Sequence, residues 1–261
     1  MGRVLAIANQ KGGVGKTTTA INLGACLAER GRRVLLADVD PQGNATTGLG
    51  IPKESERTTM YEVLLEGAAV RDSITPTLVE GMHLIPGSVD LAGAEIELVR
   101  TQRREFRLRD ALREVRDRYD FILLDCPPSL GLMTLNALVA ADAVLIPLQT
   151  EYYALEGLTQ LLRTVQLVQG GLNPALAVDG IVLTMFDART NLAIEVADDV
   201  KRHFPDRVYR TVIPRNVRLS EAPSHGRPIS RYDPRSRGTE VYRELAEEVL
   251  IRGKAGTGAR A

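Results

Sequence analysis

The sequence predicts an α/β fold, a mostly parallel twisted sheet of about seven to eight strands with helices on both faces. Three observations predict it. Short runs of Val, Ile and Leu recur along the chain, each bounded by turn residues or charges. Between them lie segments with apolar residues at helical spacing. The 261 residues are 44% hydrophobic, enough to bury one sizeable core.

The strands are expected at Arg3–Asn9, Arg33–Asp40, His83–Pro86, Phe121–Asp125, Ala143–Leu148, Gly180–Met185 and Val208–Ile213. They read as near-continuous apolar runs, the pattern of strands buried on both faces. Helical spacing is clear at Ala20–Ala28, Phe106–Val115, Leu155–Leu167 and Val241–Val249. Right-handed crossovers would bring the C-terminal ends of the strands, and a ligand, to one edge. The segment from Gly43 to Arg57 is rich in Gly, Thr and charge and reads as a loop able to move when a ligand binds. One domain is expected over residues 1–252. The tail Gly253–Ala261 has no apolar anchor and reads as disordered.

Composition narrows the function. No apolar run reaches the roughly 18 residues of a membrane span, and Met1 leads straight into a strand without a signal-peptide layout, so a cytoplasmic protein is expected. Cys26 and Cys126 form no CxxC pair and read as small buried hydrophobes. His83, His203 and His225 lack metal-ligand spacing. Net charge is zero, with 33 basic and 33 acidic residues, so affinity for a polyanion must come from a local patch. Between Lys201 and Arg237 ten Lys or Arg face three acids, an excess of seven positive charges.

The strongest chemical signal follows the first strand. Asn9-Gln10-Lys11-Gly12-Gly13-Val14-Gly15-Lys16-Thr17-Thr18 sits between a strand and a helix, where a phosphate cradle belongs. Gly12, Gly13 and Gly15 allow the backbone N–H groups to turn toward an anion, and the helix adds its positive N-terminal end. Lys16 would reach the terminal phosphates, and the Thr17 hydroxyl would hold Mg²⁺. Two further acids end apolar strands. Asp38 and Asp40 alternate in Asp38-Val39-Asp40-Pro41-Gln42-Gly43-Asn44 and so share a side, and Asp125 closes Phe121-Ile122-Leu123-Leu124. Carboxylates so placed can bind metal-held water or orient an attacking one.

The string KGGVGKTT, with Lys11 where the general phosphate loop has no lysine, resembles the deviant Walker A motif of the ParA/MinD/nitrogenase-iron-protein superfamily. That resemblance implies the P-loop NTPase fold, ATP or ADP with Mg²⁺, and weak hydrolysis. It also implies an ATP-dependent sandwich homodimer in which Lys11 crosses to the partner's nucleotide. Lys16 and Lys11 would then be catalytic with Asp40, the residue implied to position the hydrolytic water, and Asp38 and Asp125 would support the metal with Thr17. The nucleotide would lie along Lys11, Gly12, Gly13, Val14, Gly15, Lys16, Thr17 and Thr18. Ile213-Pro214-Arg215-Asn216 resembles the family's adenine loop, which implies base contacts from Met185, Pro214, Arg215 and Asn216.

Within the superfamily the chain is most similar to the ParA/Soj proteins. Asp187-Ala188-Arg189-Thr190-Asn191, Arg215 to Ser224 and Tyr232 to Gly238 resemble their sequences. The resemblance implies non-specific double-stranded DNA binding through surface arginines, here Arg189, Arg215, Arg218 and Arg235, with a nucleoid-associated location. It also implies a ParB/Spo0J-type partner that stimulates hydrolysis. A MinD-like protein would end in a basic membrane-binding helix. Here Glu240, Glu244, Glu247 and Glu248 outnumber Arg243 and Arg252, and Val241, Leu245 and Val249 suit packing on the core. A nitrogenase-like protein would need symmetrically placed thiolates, which Cys26 and Cys126 do not provide. A metabolic synthetase on the same fold would need added acid–base or anion-binding groups.

Overall fold

Strands rich in Val, Ile and Leu can stack side by side only if helices cover both faces, and the computed structural model shows that arrangement over residues 2–53 and 57–258. The strands are β1 (Arg3–Ile7), β2 (Val34–Asp38), β3 (Thr75–Pro76), β4 (Met82–Ile85), β5 (Phe121–Asp125), β6 (Ala143–Gln149), β7 (Ala177–Phe186) and β8 (Val208–Pro214). Their order across the sheet is β3-β4-β2-β5-β1-β6-β7-β8. Every pairing is parallel except β3 with β4. The seven expected strands are therefore present. The eighth, β3, pairs over Thr75 and Pro76 at the sheet edge, where Pro is tolerated and no periodicity announces it.

Helices α1 (Lys16–Glu29), α2 (Asn44–Gly48), α3 (Met60–Leu65), α4 (Val70–Ser73), α5 (Leu91–Leu98) and α6 (Arg107–Leu112) alternate with the first five strands. After them come α7 (Leu132–Ala140), α8 (Ala154–Gly171), α9 (Asn191–His203), α10 (Val217–Glu221), α11 (Ile229–Tyr232) and α12 (Arg237–Gly258). The strand residues divide between two apolar cores, one on each face of the sheet. Helix α12 buries Val241, Leu245 and Val249 completely beside α1, as its pattern implied, which leaves that stripe unavailable to a membrane. Among the described residues no helix is long and apolar enough to cross a membrane.

One expectation is corrected, since the segment read as a loop from Gly43 holds α2. Helix α12 runs on to Gly258, past the Gly253 at which the tail was expected to begin. Residues 54–56 of that loop and 259–261 of that tail lie outside the described residues.

Register places the site. Asp38 and Asp125 are direct neighbours at the C-terminal ends of β2 and β5, and Ile7, the last residue of β1, also lies beside Asp125. Parallel pairing thus brings residues far apart in the chain to one edge.

Candidate functional site

The phosphate loop leaves β1 and enters α1 through Gly15, whose φ of 86° lies in the left-handed region that favours glycine, as does the 75° of Gly13. No side chain caps the first turn of α1, so its N–H groups remain for an anion. The loop is held from two sides. Asn9 accepts from the Lys11 N–H at 3.0 Å and donates to the Pro147 carbonyl at 2.7 Å, and the Thr184 hydroxyl donates to the Val14 carbonyl at 2.8 Å. Lys16 is buried and its Nζ donates to the Lys11 carbonyl at 2.9 Å. Burial lowers its pKa, while the carboxylate of Asp125 acts in the opposite direction. Thr17 and Thr18 are half-buried, whereas Lys11, Gly12 and Gly13 are exposed. Lys11 forms an ion pair with Glu151 of the same chain.

The three carboxylates have different surroundings. Asp38 is fully buried and accepts from the Thr46 N–H at 2.9 Å, the Thr46 hydroxyl at 2.7 Å and the Asp40 N–H at 3.3 Å. Its Oδ2 is thus committed to α2, whose N-cap Gly43 offers no side chain, so that Asp38 serves as that helix's cap from outside, while Oδ1 accepts only the longer bond from Asp40. Asp125 is the opposite case, with both oxygens buried, no hydrogen bond of full geometry among the described residues and only the Thr17 side chain beside it to donate one. Burial, reinforced by the charge of Asp38, pushes the Asp125 carboxyl well above the usual carboxylate range; burial also pushes Asp38 up to about 6. An orphaned buried carboxylate beside Thr17 and Lys16 suits a Mg²⁺ ion. Among the described residues no cluster of three or more His, Cys, Asp or Glu could hold a metal ion. Asp40 caps its own turn through the Gln42 N–H at 2.9 Å and is nearly buried.

A cavity of about 400 Å³ continues from the phosphate loop. Gly15 and Thr18 open into it, Met185, Pro214, Arg215 and Asn216 line it, and Tyr242 of α12 closes it. The four residues expected at an adenine loop therefore meet in one cleft. Met185 has a φ of 49°, a conformation that costs a non-glycine residue on the order of 1–3 kcal/mol. Its neighbours fix it there, because Thr184 is tied to the phosphate loop and the Phe186 carbonyl accepts from the Arg215 N–H at 3.1 Å. The Asn216 Oδ1 caps α10 at the Arg218 N–H, 2.8 Å away, which leaves its amide N–H₂ as the end able to meet a base. A larger cavity of about 530 Å³ beside Val63, Arg103 and Arg107 contains no residue of the phosphate loop.

The four arginines expected to contact DNA gather near the C-terminal ends of β7 and β8. They are not equivalent. Arg189 is paired with Asp187 at 2.7 Å, and Arg218 with Glu221 at 2.9 Å and Asp233 at 3.6 Å. Arg215 and Arg235 are exposed and form no ion pair among the described residues. Sequence reasoning missed Asn9, Thr46, Gly87, Thr184 and Tyr242, which act on the site through space. Only Asn9, two residues before Lys11, lay near a readable signal.

Known proteins share this architecture. A family model described as an AAA domain matches residues 2–178. The chain is 63% identical over 253 residues to the sporulation initiation inhibitor protein Soj of Bacillus subtilis, covering 97% of this chain and 100% of that protein. It is 58% identical to the chromosome partitioning protein ParA of Caulobacter vibrioides, over 96% of this chain and 94% of that protein. Among solved structures, cobyrinic acid a,c-diamide synthase from Mycobacterium smegmatis with bound ADP and magnesium is similar, with a TM-score of 0.86 at 42% identity, covering 98% of this chain and 97% of that one. The chain belongs to the ParA/Soj family of chromosome-partitioning ATPases.

Proposed function

We propose that the chain is a partition ATPase whose ATP-bound sandwich dimer holds duplex DNA without sequence preference and lets go when a ParB/Spo0J-type partner stimulates hydrolysis. The observation that carries this reading is the continuity of the site. An uncapped helix N-terminus, a buried lysine, an orphaned carboxylate and a base-sized cleft follow one another along the strand ends. The similar synthase structure holds ADP and magnesium, which supports the same ligands here.

In this reading Thr17 and Asp125 would hold Mg²⁺, which would supply positive charge beside the phosphates. Lys16 and the first-turn N–H groups of α1 bind the phosphate oxygens, while Met185, Pro214, Arg215 and Asn216 orient the base. Asp40 orients the attacking water, with Asp38 bracing its loop from below. Lys11 is exposed, and its pair with Glu151 is of the kind that contributes at most about 1 kcal/mol, so the ammonium group can leave it for a partner's nucleotide. There it would supply positive charge in trans, as an arginine finger does. Basal turnover is weak because the parts assemble only on dimerisation and partner contact.

Sedimentation with non-specific duplex DNA tests the cycle. Binding should appear with ATP, be absent with ADP or no nucleotide, and fall steeply with salt, since phosphate contacts release counterions. Arg215→Ala and Arg235→Ala should each weaken it at least as much as Arg218→Ala and Arg189→Ala, because the latter two charges are already partnered. DNA binding that ignores nucleotide, or none in any state, would refute the DNA switch. The 42% identity to the synthase favours a second reading as a synthetase, which would show as ATP turnover dependent on a carboxylate-bearing metabolite.

A further inference from the structure

A second concentration of positive charge lies outside the nucleotide site. Residues 100–118 hold eight arginines and no lysine, against the four acids Glu105, Asp110, Glu114 and Asp117. Arg109, Leu112, Arg113 and Arg116 recur at intervals of three, one and three, which turns them to one side of α6 and the turn after it. There they line a cavity of about 430 Å³ together with Val4 of β1 and Ala140, the last residue of α7. The volume falls within the range of small-molecule sites. Val4 lies near the start of β1 and Arg116 reaches the Gly2 carbonyl, so the cavity sits at the strand starts and shares no residue with the nucleotide cleft.

Its lining has two kinds of surface. Val4, Leu112 and Ala140 are buried and give an apolar floor. The walls are three guanidinium groups, and no acid lines the cavity. Arg116 is neutralised, since it gives two bonds to Asp142 at 2.7 and 2.8 Å and one to the Gly2 carbonyl at 3.0 Å. Arg109 and Arg113 are not. Their acidic neighbour is Asp110, at 3.6 and 3.4 Å, and that carboxylate also pairs with Arg103 at 3.2 Å, so one negative charge serves three guanidiniums. Arg109 makes no hydrogen bond among the described residues, and its Nε is buried without an acceptor. What holds it is the Phe106 ring, whose centre lies 4.4 Å from the guanidinium carbon. Stacking on a ring fixes the plane of the fork and leaves the in-plane N–H groups at its outer edge as donors.

A guanidinium fork matches the paired oxygens of a carboxylate or phosphate, and an apolar floor suits a hydrocarbon body attached to them. No hydroxyl, thiol, imidazole or carboxyl side chain lines the cavity, so its chemistry is binding rather than catalysis. We propose that the cavity is a second ligand site, which takes a small organic oxyanion, a carboxylate or phosphate monoester on a compact apolar body, between Arg109 and Arg113. This goes beyond the partition reading and does not depend on it.

Methyl NMR of the full chain, saturated with ADP and magnesium to fill the nucleotide cleft, tests the site with benzoate, phenyl phosphate, inorganic phosphate and benzyl alcohol. Benzoate or phenyl phosphate should move the Val4, Leu112 and Ala140 methyl resonances saturably, half-saturating at or below about 1 mM. The tighter of the two identifies the headgroup. Inorganic phosphate, which lacks the body, and benzyl alcohol, which lacks the charge, should each bind at least about tenfold more weakly. Arg113→Gln, an exposed position, should weaken binding about tenfold and leave the rest of the methyl spectrum unchanged. Arg109→Lys, which keeps the charge and loses the fork, should weaken it by a similar factor. Should Arg109→Lys unfold the chain, Arg113→Gln carries the test. Inorganic phosphate binding as tightly as the organic anions would reduce the arginines to a surface charge patch and overturn the site. So would methyl resonances that stay in place up to about 10 mM of every probe, or a folded Arg113→Gln chain that binds as tightly as the unmodified one.

Discussion

Thr46 gives both its N–H and its hydroxyl to the buried Asp38 carboxylate, and its hydroxyl oxygen in turn accepts from the Gly87 N–H at 2.9 Å. One side chain thereby ties β2, α2 and the segment after β4 together beneath Asp40. A Thr46→Val substitution keeps the shape and the backbone N–H bond to Asp38 but removes the hydroxyl bond to that carboxylate and strands the buried Gly87 N–H, a loss of about 1–3 kcal/mol. Thr46→Val should therefore lower kcat for ATP hydrolysis by more than it weakens nucleotide binding, and lower unfolding stability by a similar 1–3 kcal/mol or so. Thr46→Ser, which retains the hydroxyl, should restore most of the rate. Phosphate release, nucleotide titration and urea unfolding of the two variants check this; equal rates in Val and Ser variants would remove the hydroxyl from the argument. None of this was legible in the sequence, where Gly43 to Arg57 offered only Gly, Thr and charge. Helix α2 forms because a carboxylate outside it caps it, and a cap supplied through space leaves no local pattern.

Elements far from the site show the same limit at a larger scale. The sequence placed the start of the sixth expected strand at Gly180, yet the corresponding β7 begins at Ala177 and includes Asp179, whose side chain is only 3% exposed. An acid there reads as a strand boundary until its partners are known. Arg3 of β1 forms an ion pair with it, the Tyr209 hydroxyl of β8 donates to it, and Arg252 of α12 donates to its carbonyl at 3.1 Å. The Arg252 guanidinium also lies 4.0 Å from the centre of the Tyr209 ring and donates to the Val208 carbonyl at 2.9 Å. Gly180 must be glycine here, because a Cβ would come within 2.6 Å of Arg252 Nη1 and 2.8 Å of the Arg207 carbonyl oxygen. This cluster clamps α12 to the sheet at the strand starts, the end opposite the site. Asp179→Asn keeps the volume but removes a buried charge from two donors. It should cost about 1–3 kcal/mol of stability in urea unfolding and leave ATP affinity unchanged. A loss of ATP affinity without loss of stability would contradict the division between clamp and site.

Across the whole molecule, the legible half of the site is the half that is contiguous in sequence. Lys11 to Thr18 must be a continuous string because one turn of backbone wraps one phosphate chain, and Asp40 and Asp125 end apolar strands that periodicity reveals. Asn9, Gly87, Thr184 and Tyr242 reach the same place from separate elements, so only the fold assembles them. The charge distribution divides in the same way. Neutral overall, the chain concentrates an excess of seven positive charges between Lys201 and Arg237, while Lys11 stands exposed at the phosphate loop beside Glu151. In the proposed reading Lys16 serves the phosphates of its own copy, and Lys11, paired within its own chain to Glu151, is the lysine that a second copy would supply. Lys11→Ala should therefore retain ATP binding through Lys16 and the uncapped turn of α1, yet show no ATP-dependent doubling of mass in light scattering. Asp40→Ala should do the reverse, accumulating an ATP-bound dimer whose hydrolysis is slowed by about 10²-fold or more, the scale expected when a group that positions or deprotonates the nucleophile is lost. If Lys11→Ala still dimerises with ATP, the lysine does not act in trans, and the second copy's contribution must be sought elsewhere on the face that carries the phosphate loop.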